Sequence, residues 1–138
     1  MAGSSGTPLI KKLGLFDGCR LYLKGAPAGY LERLGPGAAS VSLMSRPGSA
    51  TDIAHVFAWR KRELPPILVS LRKKLRPDAV IWVSWPKKAS GLDTDLTDNA
   101  VREVALPLGL VDIKVSAIDE TWSGLKFVVR KTARQPVS

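Results

Sequence analysis

The stretch GLVDIKVSAIDETWSGLKFVVRK, Gly109 to Lys131, decides the fold. Its first half, VDIKVSAI, sets Val111, Ile113 and Val115 against Asp112, Lys114 and Ser116, the period of a strand with one solvated face. Its second half, LKFVVRK, holds Phe127, Val128 and Val129 in succession, as a strand covered on both faces does. Only DETWSG, Asp119 to Gly124, lies between them. A crossover between parallel neighbours needs a dozen or more residues, so these strands must form an antiparallel hairpin. The alternating strand belongs at the sheet edge and the continuous one inside it.

Upstream, AHVFAW (54–59) and AVIWVSW (79–85) are almost wholly apolar, which marks central strands with helices on both sides. Between them Leu64, Ile67, Leu68, Leu71 and Leu75 recur at helical spacing, with Pro65 and Pro66 in the first turn and Pro77 after the end. Another helix is predicted to begin near Asp95 or Thr97, to turn Leu96, Ala100, Val101 and Val104 inward, and to close at Pro107 and Gly109. RLYLK reads as the first strand, and GYLERL as a short helix halted by Gly35, Pro36 and Gly37. SVSLMS, with Val41 and Leu43 opposed to Ser42 and Met44, reads as an edge strand. Strands alternating with helices define an α/β fold with a mostly parallel sheet.

At 138 residues the chain suits one domain, expected over 9–131, with flexible ends at 1–8 and 132–138. Hydrophobic residues make up 45% and charged ones 24%, ordinary globular usage. The lone Cys19 forms no internal disulfide, and with only His55 beside it no zinc site of four ligands can be built, so no metal is expected. No apolar run reaches membrane-spanning length and the N-terminus lacks the apolar stretch of a secretory signal, so no membrane partner and a cytoplasmic location are expected. The formal charge of +9 favours anionic partners.

These words resemble a known fold. KKLGLFDGCRLYLKG is similar to the lead-in and first strand of the class I S-adenosylmethionine-dependent methyltransferases, LRKKLRPDAVIWVSW to a helix and strand of that family, and GLVDIKVSAIDETWSGLKFVVRK to its closing hairpin. The resemblance implies a Rossmann-like six-stranded sheet in the order 2-1-3-4-6-5, because Arg46 to Ile53 leaves no room for the family's usual third strand and helix. More closely, WVSWPKK, TDLT and AIDETWSGLKFV together resemble a small bacterial family of uncharacterised domains, which implies no activity.

A cofactor loop of such a fold needs glycines for close backbone approach and a free N–H at the helix start. In GAPAG, Gly25 and Gly29 remain, but Pro27 occupies the centre, without an N–H and with an added ring. Leu23 stands where methyltransferases carry an acid, and Ser45 and Arg46 stand where a second acid would hold the ribose. No cofactor is therefore predicted, and S-adenosylmethionine is expected to bind weakly or not at all. Gly25, Pro27 and Gly29 read as a tight strand-to-helix turn in preference to a cofactor loop, and they stand among the ligand-binding candidates at the strand end.

In open α/β sheets, ligands bind beyond the carboxyl ends of the strands. Lys87, Lys88, Ser90 and Thr94 are expected to emerge there, facing Asp119, Glu120, Thr121 and Trp122 across a crevice. The lysines are either solvated or part of an anion site completed by Ser90 and the next helix start. Asp119 and Glu120 either organise the turn or serve as a base or cation ligand. Trp122 either packs over the hairpin or stacks on a ligand, and His55 reads as a satisfied core histidine. Arg60, Lys61 and Arg62, and Arg72, Lys73, Lys74 and Arg76, form basic runs without exposed aromatic residues interleaved, which gives single-strand stacking little support. No constellation names a reaction, and whether the chain is an enzyme stays open. The expected function is a methyltransferase-like domain without S-adenosylmethionine-dependent activity, binding an anionic small molecule or a protein partner at the strand-end crevice. The alternatives are a methyltransferase using that crevice and a basic nucleic-acid accessory protein.

Overall fold

The computed structural model describes residues 8–130, and within it the closing hairpin is β5 (Leu110–Ala117) followed by β6 (Trp122–Val129). The second strand begins at Trp122, earlier than its apolar run suggests, because Trp122, Ser123 and Gly124 pair with Pro86, Trp85 and Ser84. The other strands are β1 (Arg20–Lys24), β2 (Ser42–Met44), β3 (Ile53–Phe57) and β4 (Val80–Pro86). They form one six-stranded sheet in the order β2-β1-β3-β4-β6-β5. β1 to β4 run parallel, while β6 lies antiparallel between β4 and β5.

Two cores sit on opposite faces of this sheet, and the side chains of the central strands alternate between them. Ala54, Val56, Ile81, Val83, Leu125 and Phe127 meet α3 (Leu64–Lys74) and α4 (Asp98–Ala105). Ile53, Phe57, Trp82 and Trp122 meet α1 (Leu9–Leu13) and α2 (Tyr30–Leu34). Burial on both faces is why AHVFAW and AVIWVSW carry almost no polar residue. α3 has proline in its first turn, as expected, and α4 is capped by Thr97, whose hydroxyl accepts from Ala100 N at 3.1 Å.

Three features depart from the sequence pattern. α1 has too few residues to show a helical period; it is seated by Trp82, whose indole N–H donates to Leu13 O at 3.1 Å. Leu43, expected on a covered face of its edge strand, is 49% exposed, because β2 is only three residues long and lies outermost. Pro8, expected within the N-terminal tail, is the N-cap residue of α1. The remaining tail residues, 1–7 and 132–138, lie outside the described residues, as does Lys131. No helix among the described residues is long and apolar enough to cross a membrane.

Gly124 is what allows β6 to approach β4. A β-carbon there would stand 2.9 Å from Ser84 Oγ, 3.1 Å from Ile118 Cδ1 and 3.2 Å from Trp82 Cε3. The interior position of β6 makes a kinetic prediction: in native-state hydrogen exchange the amides of Phe127 and Val129 are among the slowest, well behind those of Leu9 and Ile10 in α1. Exchange of Phe127 as fast as that of α1 would contradict this sheet order.

Candidate functional site

β1, β3 and β4 end on one edge of the sheet, where the segments 25–29, 58–63 and 87–97 leave it and the β5–β6 turn at 118–121 returns to it. An aromatic row runs along this edge from core to surface. His55 stacks on Phe57 with ring centroids 4.3 Å apart, Phe57 meets Trp122 edge to face at 5.0 Å, and Trp122 meets Trp59 edge to face at 5.2 Å. Tyr30, the first residue of α2, sets its ring edge to face against both His55 and Phe57.

At the inner end of the row His55 is fully buried. Its Nδ1 lies 2.9 Å from the Tyr30 hydroxyl and its Nε2 lies 2.7 Å from Ser84 Oγ, so both ring nitrogens are satisfied, as the sequence reading anticipated for a core histidine. Burial holds the imidazole down at about pKa 3 and pushes the Tyr30 hydroxyl up. The imidazole is neutral at pH 7 and closed to solvent. Its chemistry is to tie α2, β3 and β4 together.

At the outer end Trp59 lies beyond β3 rather than within it and is 38% exposed, which corrects the reading of AHVFAW as uniformly covered. Its backbone is clamped on both sides: Trp59 N donates to Glu63 Oε1 at 2.8 Å, and Trp59 O accepts from the Thr94 hydroxyl at 2.6 Å. The N–H groups of Trp59 and Arg60 hold the Glu63 carboxyl below its usual range. The sequence signal for this residue was the basic run Arg60, Lys61 and Arg62 directly after it, which marks the strand's end.

The residues singled out from sequence divide clearly. Asp119 belongs to the turn: its Oδ1 accepts from Thr121 N at 2.7 Å and Trp122 N at 2.8 Å, and its Oδ2 pairs with Arg33 of α2. Glu120 is exposed, and Trp122 is buried within the row. Lys87 does not face the turn across a gap, since Lys87 N donates to Thr121 O at 2.8 Å and the two segments touch. Lys87 is half-buried and Lys88 is exposed, and neither joins an ion pair among the described residues. Ser90 folds its hydroxyl onto Lys87 O at 2.6 Å, and Thr94 is used on Trp59. α4 starts at Asp98 behind its Thr97 cap, as expected, but a short 3-10 turn, Lys88–Ser90, and the segment 91–97 separate that helix start from the lysines. Gly25 and Pro27 lie in the turn after β1, and Gly29, at a φ of 85°, is the N-cap of α2. No group of three or more potential metal-ligating side chains gathers among the described residues.

No protein-family model matches the sequence, and comparison with curated proteins gives no match. Solved structures do match. A SAM-dependent methyltransferase from Aquifex aeolicus aligns over 88% of this chain and 87% of its own, at 14% identity and a TM-score of 0.62. The tRNA methyltransferase TrmK of B. subtilis aligns over 88% of this chain and 63% of its own, at 11% identity and a TM-score of 0.56. A protein of the NADB-Rossmann superfamily from Streptococcus agalactiae aligns over 96% and 71%, at 10% identity and a TM-score of 0.52. Likeness at these identities is one of fold. The chain has the Rossmann-like fold of the class I methyltransferases, with six strands.

Two measurements check the site's construction. The sequence contains one histidine, normally of pKa 6.5, so as pH falls below that value the unfolded chain takes up a proton that the folded chain refuses until about pH 3. The stabilisation is complete above pH 6.5 and is lost on acidification by about 1.4 kcal/mol per pH unit between those limits. In urea titrations His55→Gln flattens this slope above the carboxylate range. Separately, Asp119→Ala leaves two turn N–H groups without their acceptor and lowers stability by ~1–3 kcal/mol, while Asp119→Asn, which keeps an acceptor, loses less. Equal losses would contradict the turn assignment.

Proposed function

We propose that this protein is a methyltransferase-like domain that works without S-adenosylmethionine and receives an anionic small molecule or a protein partner at the surface formed by its strand ends. The observation that carries this reading is at Gly25. A β-carbon there would stand 2.9 Å from Phe57 O, so the close pass of the turn against the end of β3 by itself accounts for a glycine at this position, with no cofactor needed to explain it. Pro27 has no N–H to offer, Leu23 replaces one acid, and Ser45 and Arg46 stand in place of the other. The residues present do not fit the cofactor. Lys87 and Lys88 supply positive charge at the end of β4 with no carboxylate partner among the described residues, which suits an anion.

Isothermal titration with S-adenosylmethionine is expected to give no saturable binding; micromolar affinity displaced by S-adenosylhomocysteine would instead favour an active methyltransferase. Lys87→Ala with Lys88→Ala is expected to weaken phosphate or pyrophosphate binding while changing stability by no more than ~0.5 kcal/mol. The distant pair Lys73→Ala with Lys74→Ala, near the end of α3, serves as the control for overall charge. Equal weakening by the two pairs would reject a local site.

A further inference from the structure

We propose that Trp59 is a stacking platform for a nucleobase whose phosphate reaches Lys87 and Lys88, so that the ligand is a nucleotide, either free or within a single strand. This deepens the reading above and rests on its anion site.

Large apolar side chains are normally withdrawn from water or left singly at random, but Trp59 is the exposed terminus of an otherwise buried aromatic row. Its contact with Trp122 is edge to face, at 81° between the planes, so Trp122 takes at most one face of the Trp59 indole. No other aromatic ring among the described residues stacks on it. The residue is also held in place: Glu63 and Thr94 fix its backbone, and Trp122 braces the ring. A ring fixed in advance loses little conformational freedom when a planar partner arrives.

The charges around it are sorted in the same sense. Asp93 is committed to Arg60, Asp95 to Lys61 N, Glu63 to the N–H groups of Trp59 and Arg60, and Asp119 to Arg33. Glu120 is the exposed carboxylate left on the turn, while Lys87, Lys88 and Arg62 are cations without an ion pair among the described residues. Lys87 follows Pro86, the register partner of Trp122, and its N–H bonds Thr121 O, while Trp59 meets the Trp122 ring, so the lysine segment and Trp59 both adjoin the start of β6. A planar face beside mobile ammonium groups matches the two halves of a nucleotide, whose base stacks in a sequence-tolerant way and whose phosphate needs point charges. An acidic peptide would use the lysines but not the exposed part of the Trp59 indole.

The test uses the full chain with three probes: adenosine monophosphate, a labelled oligothymidylate, and inorganic pyrophosphate as the anion without a base. Trp59→Ala is expected to weaken both base-carrying probes by about tenfold or more and to leave pyrophosphate unchanged, whereas Trp59→Phe keeps most of the affinity. A matched urea midpoint confirms that the variants fold. Tighter binding of the oligomer with a steep salt dependence identifies a single strand, and equal affinity for the monophosphate identifies a free nucleotide. If Trp59→Ala has no effect on the base-carrying probes, or weakens pyrophosphate to the same extent, the stacking proposal is overturned. Continued loss of pyrophosphate binding in the Lys87→Ala, Lys88→Ala pair would then leave the anion site standing. Should polyglutamate bind as tightly as the oligomer and be equally insensitive to Trp59→Ala, the nucleotide assignment falls.

Discussion

A strand that buries both faces must also find partners along both edges, because an unpaired backbone N–H or C=O inside an apolar layer costs several times what a hydrogen bond gains. β6 is that strand here. Leu125, Phe127 and Val129 project into one core while Trp122 projects into the other, so β6 can lie only between β4 and β5. The other placements follow. β5, with Ile113 and Val115 exposed, becomes the outer edge, and its irregular register between Asp112 and Lys114 interrupts that edge as a template for further pairing. Gly124 supplies the clearance for the close approach of β6 to Ser84 and Trp82.

The same insertion builds the functional edge. Because β6 starts beside Pro86, its first residue, Trp122, is delivered against Phe57 at the end of β3, and the turn before it lands against Lys87. Asp119 locks that turn and ties it to α2 through Arg33, while Tyr30 and Ser84 tie α2 and β4 to His55. Groups that resemble catalytic types, an aspartate, a histidine, a tyrosine and a serine, are thus spent on holding loops and strands in place. The charged groups left without an ion pair at this edge among the described residues include Lys87, Lys88, Arg62 and Glu120, beside the partly exposed Trp59.

A shared fold carries no activity of its own, since function resides in the residues placed on it. The topology of this sheet matches solved methyltransferase structures, while at the strand ends of this chain Gly25 packs against the backbone of β3 and a row of aromatic rings runs toward the surface.

The sequence by itself determined every element whose cause is local or periodic. Continuous apolar runs marked β3, β4 and the inner strand of the hairpin, the spacing of Leu64, Leu68 and Leu71 marked α3, and the brevity of DETWSG forced the antiparallel turn. The resemblance carried by the closing hairpin completed the strand order. It was silent about α1, whose five residues are too few to stand out as a period, although Gly14 closes the helix and Trp82 holds its last carbonyl. It also misplaced Trp59, because an apolar residue at a strand's end reads the same whether the next layer covers it or leaves it to solvent. Only the tertiary structure decided which polar groups were free. Asp119 and Ser90 close on backbone groups two or three residues away, the turn chemistry already open to Asp119 in the sequence, whereas Thr94 reaches Trp59 and Asp119 reaches Arg33 only through tertiary pairing, and Lys87 and Lys88 remained uncommitted because nothing of opposite charge among the described residues was brought to them. A hydrogen bond between residues dozens of positions apart leaves no period in a sequence, and the bonds of Thr94 to Trp59, Asp119 to Arg33 and His55 to Tyr30 and Ser84 are of that kind.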